Sequence, residues 1–210
     1  MGMDFSALIH YDGVNADVLA TIRELELNPH YSTTDAVVEL GRKEDFAFAS
    51  ERAVTSDWRA YSDWETPLAS RPSLPSLKEY LRLPSDFSLT FGHDAIWVYH
   101  TLRWQFFTTE SKWQTVMLSA VRNFCRRFHG HDCIVTSDYN PAILEFQNGA
   151  SFSAAVTVAE SKGEGRVNTI DDLYIDKGIA DDLVYVDADG QVSAIPIWAS
   201  HGYWRLQCNA

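Results

Sequence analysis

The chain is poor in cysteine, poor in cations and without long apolar runs, and each shortage closes off a class of protein. Cys125, Cys133 and Cys208 are the only cysteines among 210 residues. So sparse and odd a set does not build a disulfide framework, and it fits a reducing, cytoplasmic environment. Apolar runs stop at about four to six residues, as in Ile195-Pro196-Ile197-Trp198, against the roughly 18–20 that a membrane-spanning helix needs. No Lys or Arg precedes Arg23 and no apolar core region follows the N-terminus, so no secretory signal is expected. Met1-Gly2 with Ser6 matches the loose myristoylation pattern, but no polybasic stretch adds the second anchoring signal.

Cations are outnumbered, 17 Lys and Arg against 29 Asp and Glu, for a net charge of −12. That surplus repels phosphate backbones and anionic lipid surfaces, so neither nucleic acid nor membrane is expected as a partner. It attracts a basic partner and keeps the chain soluble. Signatures of catalysis are missing as well. There is no G-x-S-x-G, no G-x-x-x-x-G-K and no G-x-G-x-x-G. Gly163-Glu164-Gly165 holds two glycines, but acids surround it and would repel phosphate. No cofactor is expected.

What is present is the composition of a globular protein, 46% hydrophobic and 22% charged, enough to build a core. The charge is unevenly spread. Between Glu160 and Asp189 nine acids face only Lys162, Arg166 and Lys177, which leaves six of the twelve surplus charges in a seventh of the chain. This stretch reads as a solvent-facing contact surface.

Periodicity gives the elements. Phe5, Ala7, Ile9 and Tyr11 alternate with polar residues and predict a strand. Asn15 or Asp17 caps a helix to Glu26, with Val18, Leu19, Ile22 and Leu25 as its buried stripe. Ala36–Leu40 and Asp45–Ala49 read as two strands joined through Gly41-Arg42-Lys43, so the first fifty residues read β-α-β-β. Pro67, Pro72, Pro75 and Pro84 crowd into eighteen residues and mark a docked crossover with a short helix near Ser76–Leu83. Ala95–Thr109 reads as one bent strand or two. Ser111–His129 predicts a long amphipathic helix with Trp113, Val116, Met117, Ala120, Val121, Phe124 and Phe128 on one stripe, stopped at Gly130.

Cys133–Thr136 reads as a strand. Asn148-Gly149 between Ala142–Gln147 and Ala150–Val158 reads as the turn of a hairpin. Leu183–Val186 and Val192–Trp198 read as a second hairpin, and Trp204–Cys208 as a last strand. The expected fold is α+β, with mostly antiparallel sheet and one long amphipathic helix over 110–129 packed on it, and with two β-α-β-β-like halves as a possible plan. The expected organisation is a single domain over 1–210. The alternative is 1–65 and 85–210 joined through the Pro-rich segment 66–84. Core positions are Phe5, Ile9, Ile22, Phe48, Trp97, Trp104, Val116, Val121, Phe124, Phe128, Ile134, Phe146, Val156, Val184 and Ile197.

Four constellations could carry chemistry. Cys125, His129, His131 and Cys133 supply the four N and S donors of a zinc site, but nine residues across a helix stop is tighter than such sites usually are, and no metal is expected. Asp187-Ala188-Asp189-Gly190 opens like a calcium loop, but Val192 and Trp198 stand where that loop needs Gly and Glu. Trp58, Tyr61 and Trp64, interleaved with Asp57, Asp63 and Glu65, could serve glycoside hydrolysis, and more readily form a docking patch. Asp171, Asp172, Asp176, Asp181 and Asp182 form the acidic surface. Trp and Tyr dominate interface hot spots, and acids speed association with a basic partner. The favoured reading is therefore a non-enzymatic acidic module holding a basic protein, as a bacterial immunity protein, an inhibitor or an adaptor would. The alternatives are a small-molecule-binding or metal-dependent enzyme, and a structural or assembly protein.

Overall fold

The computed structural model describes residues 3–27, 34–46, 55–56, 79–83, 86–162, 182–186, 192–196 and 203–208. Strict alternation in the first strand sets the architecture. In β1 (Asp4–His10), Phe5, Ala7 and Ile9 point to one side of a sheet, and Leu8 to the other. Two apolar faces require two covering layers, so helices lie on both sides.

The sheet has seven strands. Their order is β2 (Thr55–Ser56), β3 (Glu79–Arg82), β4 (Phe87–Phe91), β5 (Ala95–Arg103), β1, β6 (Asp132–Ser137) and β9 (Tyr203–Gln207). Each neighbouring pair is antiparallel. A separate antiparallel pair is formed by β7 (Asp182–Val186) and β8 (Val192–Pro196). The fold is α+β, as the sequence predicts.

The larger core covers the Phe5 face. It joins that face to α1 (Ala16–Leu27), α2 (Asp35–Lys43), α3 (Trp104–Thr109) and α4 (Ser111–Arg127). Asn15 accepts the Val18 N–H at 2.9 Å and starts α1, as a capping Asn should. Trp113, Met117, Ala120, Val121 and Phe124 of α4 are buried. The opposite face carries a second core, in which Leu8, Ala95, Ile134 and Tyr203 meet α5 (Pro141–Gln147) and α6 (Phe152–Lys162).

The expected helix over 110–129 is Ser111–Arg127, one of six described helices rather than the only long one. Its stop differs in detail from expectation. His129 takes the left-handed conformation, φ 54°, and the Gly130 N–H reaches back to the Cys125 carbonyl at 2.7 Å. Gly130 is needed for closeness instead, because a Cβ there would lie 2.5 Å from Ile9 Cγ2.

Several expected strands are helices. Ala36–Leu40 lies in α2, where Val37 and Gly41 are buried one turn apart and Asp35, Arg42 and Lys43 complement the helix dipole. The β-branched Val37-Val38 pair mimics a strand only locally. Ala142–Gln147 and Ala150–Val158 are α5 and α6. Asn148-Gly149 joins two helices here, with Gly149 at φ 89°. Asn140 caps α5 by accepting the Ala142 N–H at 2.9 Å, Pro141 sits in its first turn, and both Asp94 carboxylate oxygens accept the Phe152 N–H that opens α6. With these changes the β-α-β-β echo between the two parts disappears. Residues 79–82 of the expected helix near 76–83 are β3, and the second part of 95–109 is α3. Phe48, Val184 and Ile197 fall among side chains outside the described residues. Trp97 and Val116 are half-buried, and the other core positions are buried.

Candidate functional site

The polar phase of the central strands collects on one part of the sheet. Residues that alternate with the large core share the opposite face: Asp4 and Ser6 of β1, Trp97, Tyr99 and Arg103 of β5, and Ser88 and Thr90 of β4. Helices α5 and α6 cover the Leu8 and Ile134 region of that face. Beside it the polar groups bind one another.

Tyr99 Oη donates to Asp4 Oδ2 at 2.7 Å, and Arg103 Nη1 holds Asp4 Oδ1 at 2.8 Å. The Asp4 N–H donates to Asp138 Oδ1 at 2.8 Å, and the Asp138 N–H returns to the Asp4 carbonyl at 3.0 Å. Trp97 Nε1 donates to Ser6 Oγ at 3.1 Å, and its ring meets Tyr99 edge-on at 5.9 Å. Burial raises the Asp138 carboxyl above the ordinary carboxylate range. Burial, then the hydrogen bond to Asp4, pushes the Tyr99 phenol well above its ordinary range. Two half-buried carboxylates, one guanidinium and two aromatic rims leave a net negative, partly dehydrated patch. Such a patch suits a cationic group, by charge and by the ring faces. The alternation within 95–103 was visible in the sequence, but nothing in it tied Asp4 and Asp138, 134 positions apart, to Tyr99.

The sequence-derived site residues fare differently. Trp58, Tyr61, Trp64, Asp171, Asp172, Asp176 and Asp181 lie outside the described residues. The Asp187–Gln191 turn does too. Asp182 stands at the first position of β7, in register with Pro196.

The quartet Cys125, His129, His131 and Cys133 divides. Cys125 and Cys133 are buried in the large core. His129 and His131 are exposed, and His131 Nε2 lies 3.0 Å from Asp12 Oδ2. The strand end turns the imidazoles outward while the helix stripe takes the thiols in. Among the described residues no group of three or more His, Cys, Asp or Glu is placed to hold a metal ion. The third sulfur that joins Cys125 and Cys133 is Cys208, which follows β9. Among the described residues no helix is long and apolar enough to cross a membrane.

Comparison with protein-family models, with curated proteins and with solved structures finds no match.

Proposed function

We propose that the chain is a non-enzymatic acidic binding module that holds a basic protein partner, in the manner of an immunity protein, an inhibitor or an adaptor. The observation that carries this reading is the uncompensated surplus of twelve negative charges. Cations of the described fold are already engaged: Lys43, Arg103, Lys112, Arg127 and Arg205 each pair with a carboxylate. The surplus carboxylates therefore face solvent ions or a partner. The stretch from Glu160 to Asp189 holds half of that surplus. Fields of this sign raise the encounter rate with a basic protein and fade within a Debye length of about 8–10 Å at physiological salt. The Asp4, Asp138, Trp97 and Tyr99 patch offers a basic side chain a place to dock. Three free thiols fit a cytoplasmic setting.

The test is capture from the native host's lysate on the immobilised full chain, at about 50 mM and about 0.5 M salt. A protein of strongly basic composition should be retained at low salt and released at high salt. Enrichment of no basic protein at low salt, or retention that ignores salt, overturns the reading.

A further inference from the structure

All three thiols of the chain converge, although they come from three separate elements. β6 and β9 are antiparallel with Cys133 opposite Leu206. Side chains two apart on a strand share a face, so Cys208 lies diagonal to Cys133 on the Leu206 side. Helix α4 covers that face and brings Cys125 onto it. Cys125 and Cys133 belong to the large core, and Cys208 packs against it. The Cys125 thiol hydrogen-bonds to both Cys133 and Cys208.

We propose that Cys125 and Cys208 form an internal dithiol that closes to a disulfide under oxidising conditions and clasps β9 to α4. Cys208 is the partly exposed member, whereas Cys125 and Cys133 are sealed. A soluble disulfide such as glutathione disulfide therefore meets Cys208 first. The Cys208 thiolate attacks one glutathione sulfur, forms a mixed disulfide and expels a glutathione thiolate, which takes up a proton. Cys125 then gives its proton to water and attacks Cys208 Sγ, expelling the second glutathione. Two protein thiols lose two electrons and two protons, and one glutathione disulfide becomes two glutathione thiols. Cys133 stays a thiol.

The strand fastened in this way is an edge of the seven-stranded sheet. It closes the chain segment that leaves α6 and includes the acid-rich stretch. Arg205 already ties β9 to β6 and α6, through Asp132 at 2.6 Å and Glu160 at 3.3 Å. The disulfide adds a covalent tie on the other face. This inference does not depend on the partner proposed above, because its readouts are the bond and the stability of the chain itself.

The experiment incubates the reduced full chain with glutathione disulfide, alkylates the remaining thiols and maps non-reduced peptides by mass. The expected product has lost two hydrogens, contains a Cys125–Cys208 linked peptide and carries its alkyl group on Cys133. The bridge closes a long loop, so Tm should rise by roughly 5–15 °C and fall back on reduction with dithiothreitol. Cys208→Ser, at a partly exposed position, should keep the same Tm with and without oxidant. A lasting glutathione adduct on Cys208, a bridge that includes Cys133, or an unchanged mass overturns the proposal. So does a Cys125–Cys208 bridge that leaves Tm where it was. The peptide map of the unsubstituted chain decides the pairing even if the variant fails to fold.

Discussion

Asp138 holds a carboxyl half inside the protein, and its two interactions pull in opposite directions. Burial favours the protonated form, while the Asp4 N–H donating to Oδ1 favours the charged one, and burial prevails. A raised folded pKa means that this group contributes stability below its unfolded value of 3.8 and loses it as pH rises through the folded value. Asp138→Asn keeps an oxygen for the Asp4 N–H and removes the titration. Its stability relative to the parent should therefore improve as pH climbs from acid to neutral, by no more than about 1 kcal/mol given solvent screening. Urea unfolding at a series of pH values measures it, and a parallel pair of curves would refute the assignment. Tyr99→Phe tests the other side of the same patch. It deletes the donor that reaches Asp4 Oδ2, while Arg103 still holds Oδ1. A hydrogen bond to a charged group contributes about 1.5–3 kcal/mol when sealed, and half-exposure reduces that to about 1 kcal/mol. The urea midpoint should fall with an unchanged slope. No shift would mean that the phenol is satisfied equally well by water.

Helix ends decide where elements stop, and α4 separates two roles that its sequence places side by side. His129 supplies the left-handed turn at φ 54°, a conformation that costs a side chain and suits glycine. His129→Gly should therefore stabilise the protein by roughly 0.5–1 kcal/mol. Gly130→Ala should destabilise it by about 1–3 kcal/mol, because its Cβ would meet Ile9 Cγ2 at 2.5 Å and β1 cannot yield at the centre of the sheet. Thermal unfolding of both variants gives the signs, and equal effects at the two positions would contradict the division. The same helix shows what was legible beforehand. The stripe from Trp113 to Phe124 repeats for several turns, so its period identified it. So did the two-residue alternation of β1, β5 and β6. Short segments were misread because one or two turns carry little period. Val37-Val38 looked like a strand, and Asn148-Gly149 looked like a hairpin turn. The better signal lay one step upstream, in Asn140-Pro141 as cap and first turn, followed by Ala142, Ile143 and Phe146 at helical spacing. The acidic patch was not legible, because sheet register brings Asp4, Tyr99 and Asp138 together. Cys208 was passed over for the same reason, since its neighbours come from β6 and α4.

At the scale of the whole molecule two electrostatic effects compete, and salt separates them. Ion pairs inside the fold are weakened by salt, whereas the mutual repulsion of surplus carboxylates is relieved by it. Which dominates depends on exposure. The Lys43–Glu39 pair is 66% and 69% exposed, and pairs this wet add little. Lys112 with Glu44 and Glu110 is also largely in water. Arg205 is better sheltered, at 35% exposure beside Asp132 at 19%, but its double hydrogen bond to Oδ2 limits what screening can remove. Against these stands a net charge of −12, spread over a chain with a sequence pI of about 4.9. Repulsion should win at neutral pH. Tm should rise by a few degrees between about 10 mM and about 0.3 M sodium chloride at pH 7, and the gain should shrink toward pH 5 as the net charge falls. A basic polypeptide should deliver the same gain at far lower concentration, because it brings its cations already linked. Scanning calorimetry with sodium chloride and with a short oligolysine compares the two directly. A Tm that falls with salt at pH 7 would show that the internal pairs outweigh the surplus, and would remove the electrostatic ground on which a basic partner is proposed.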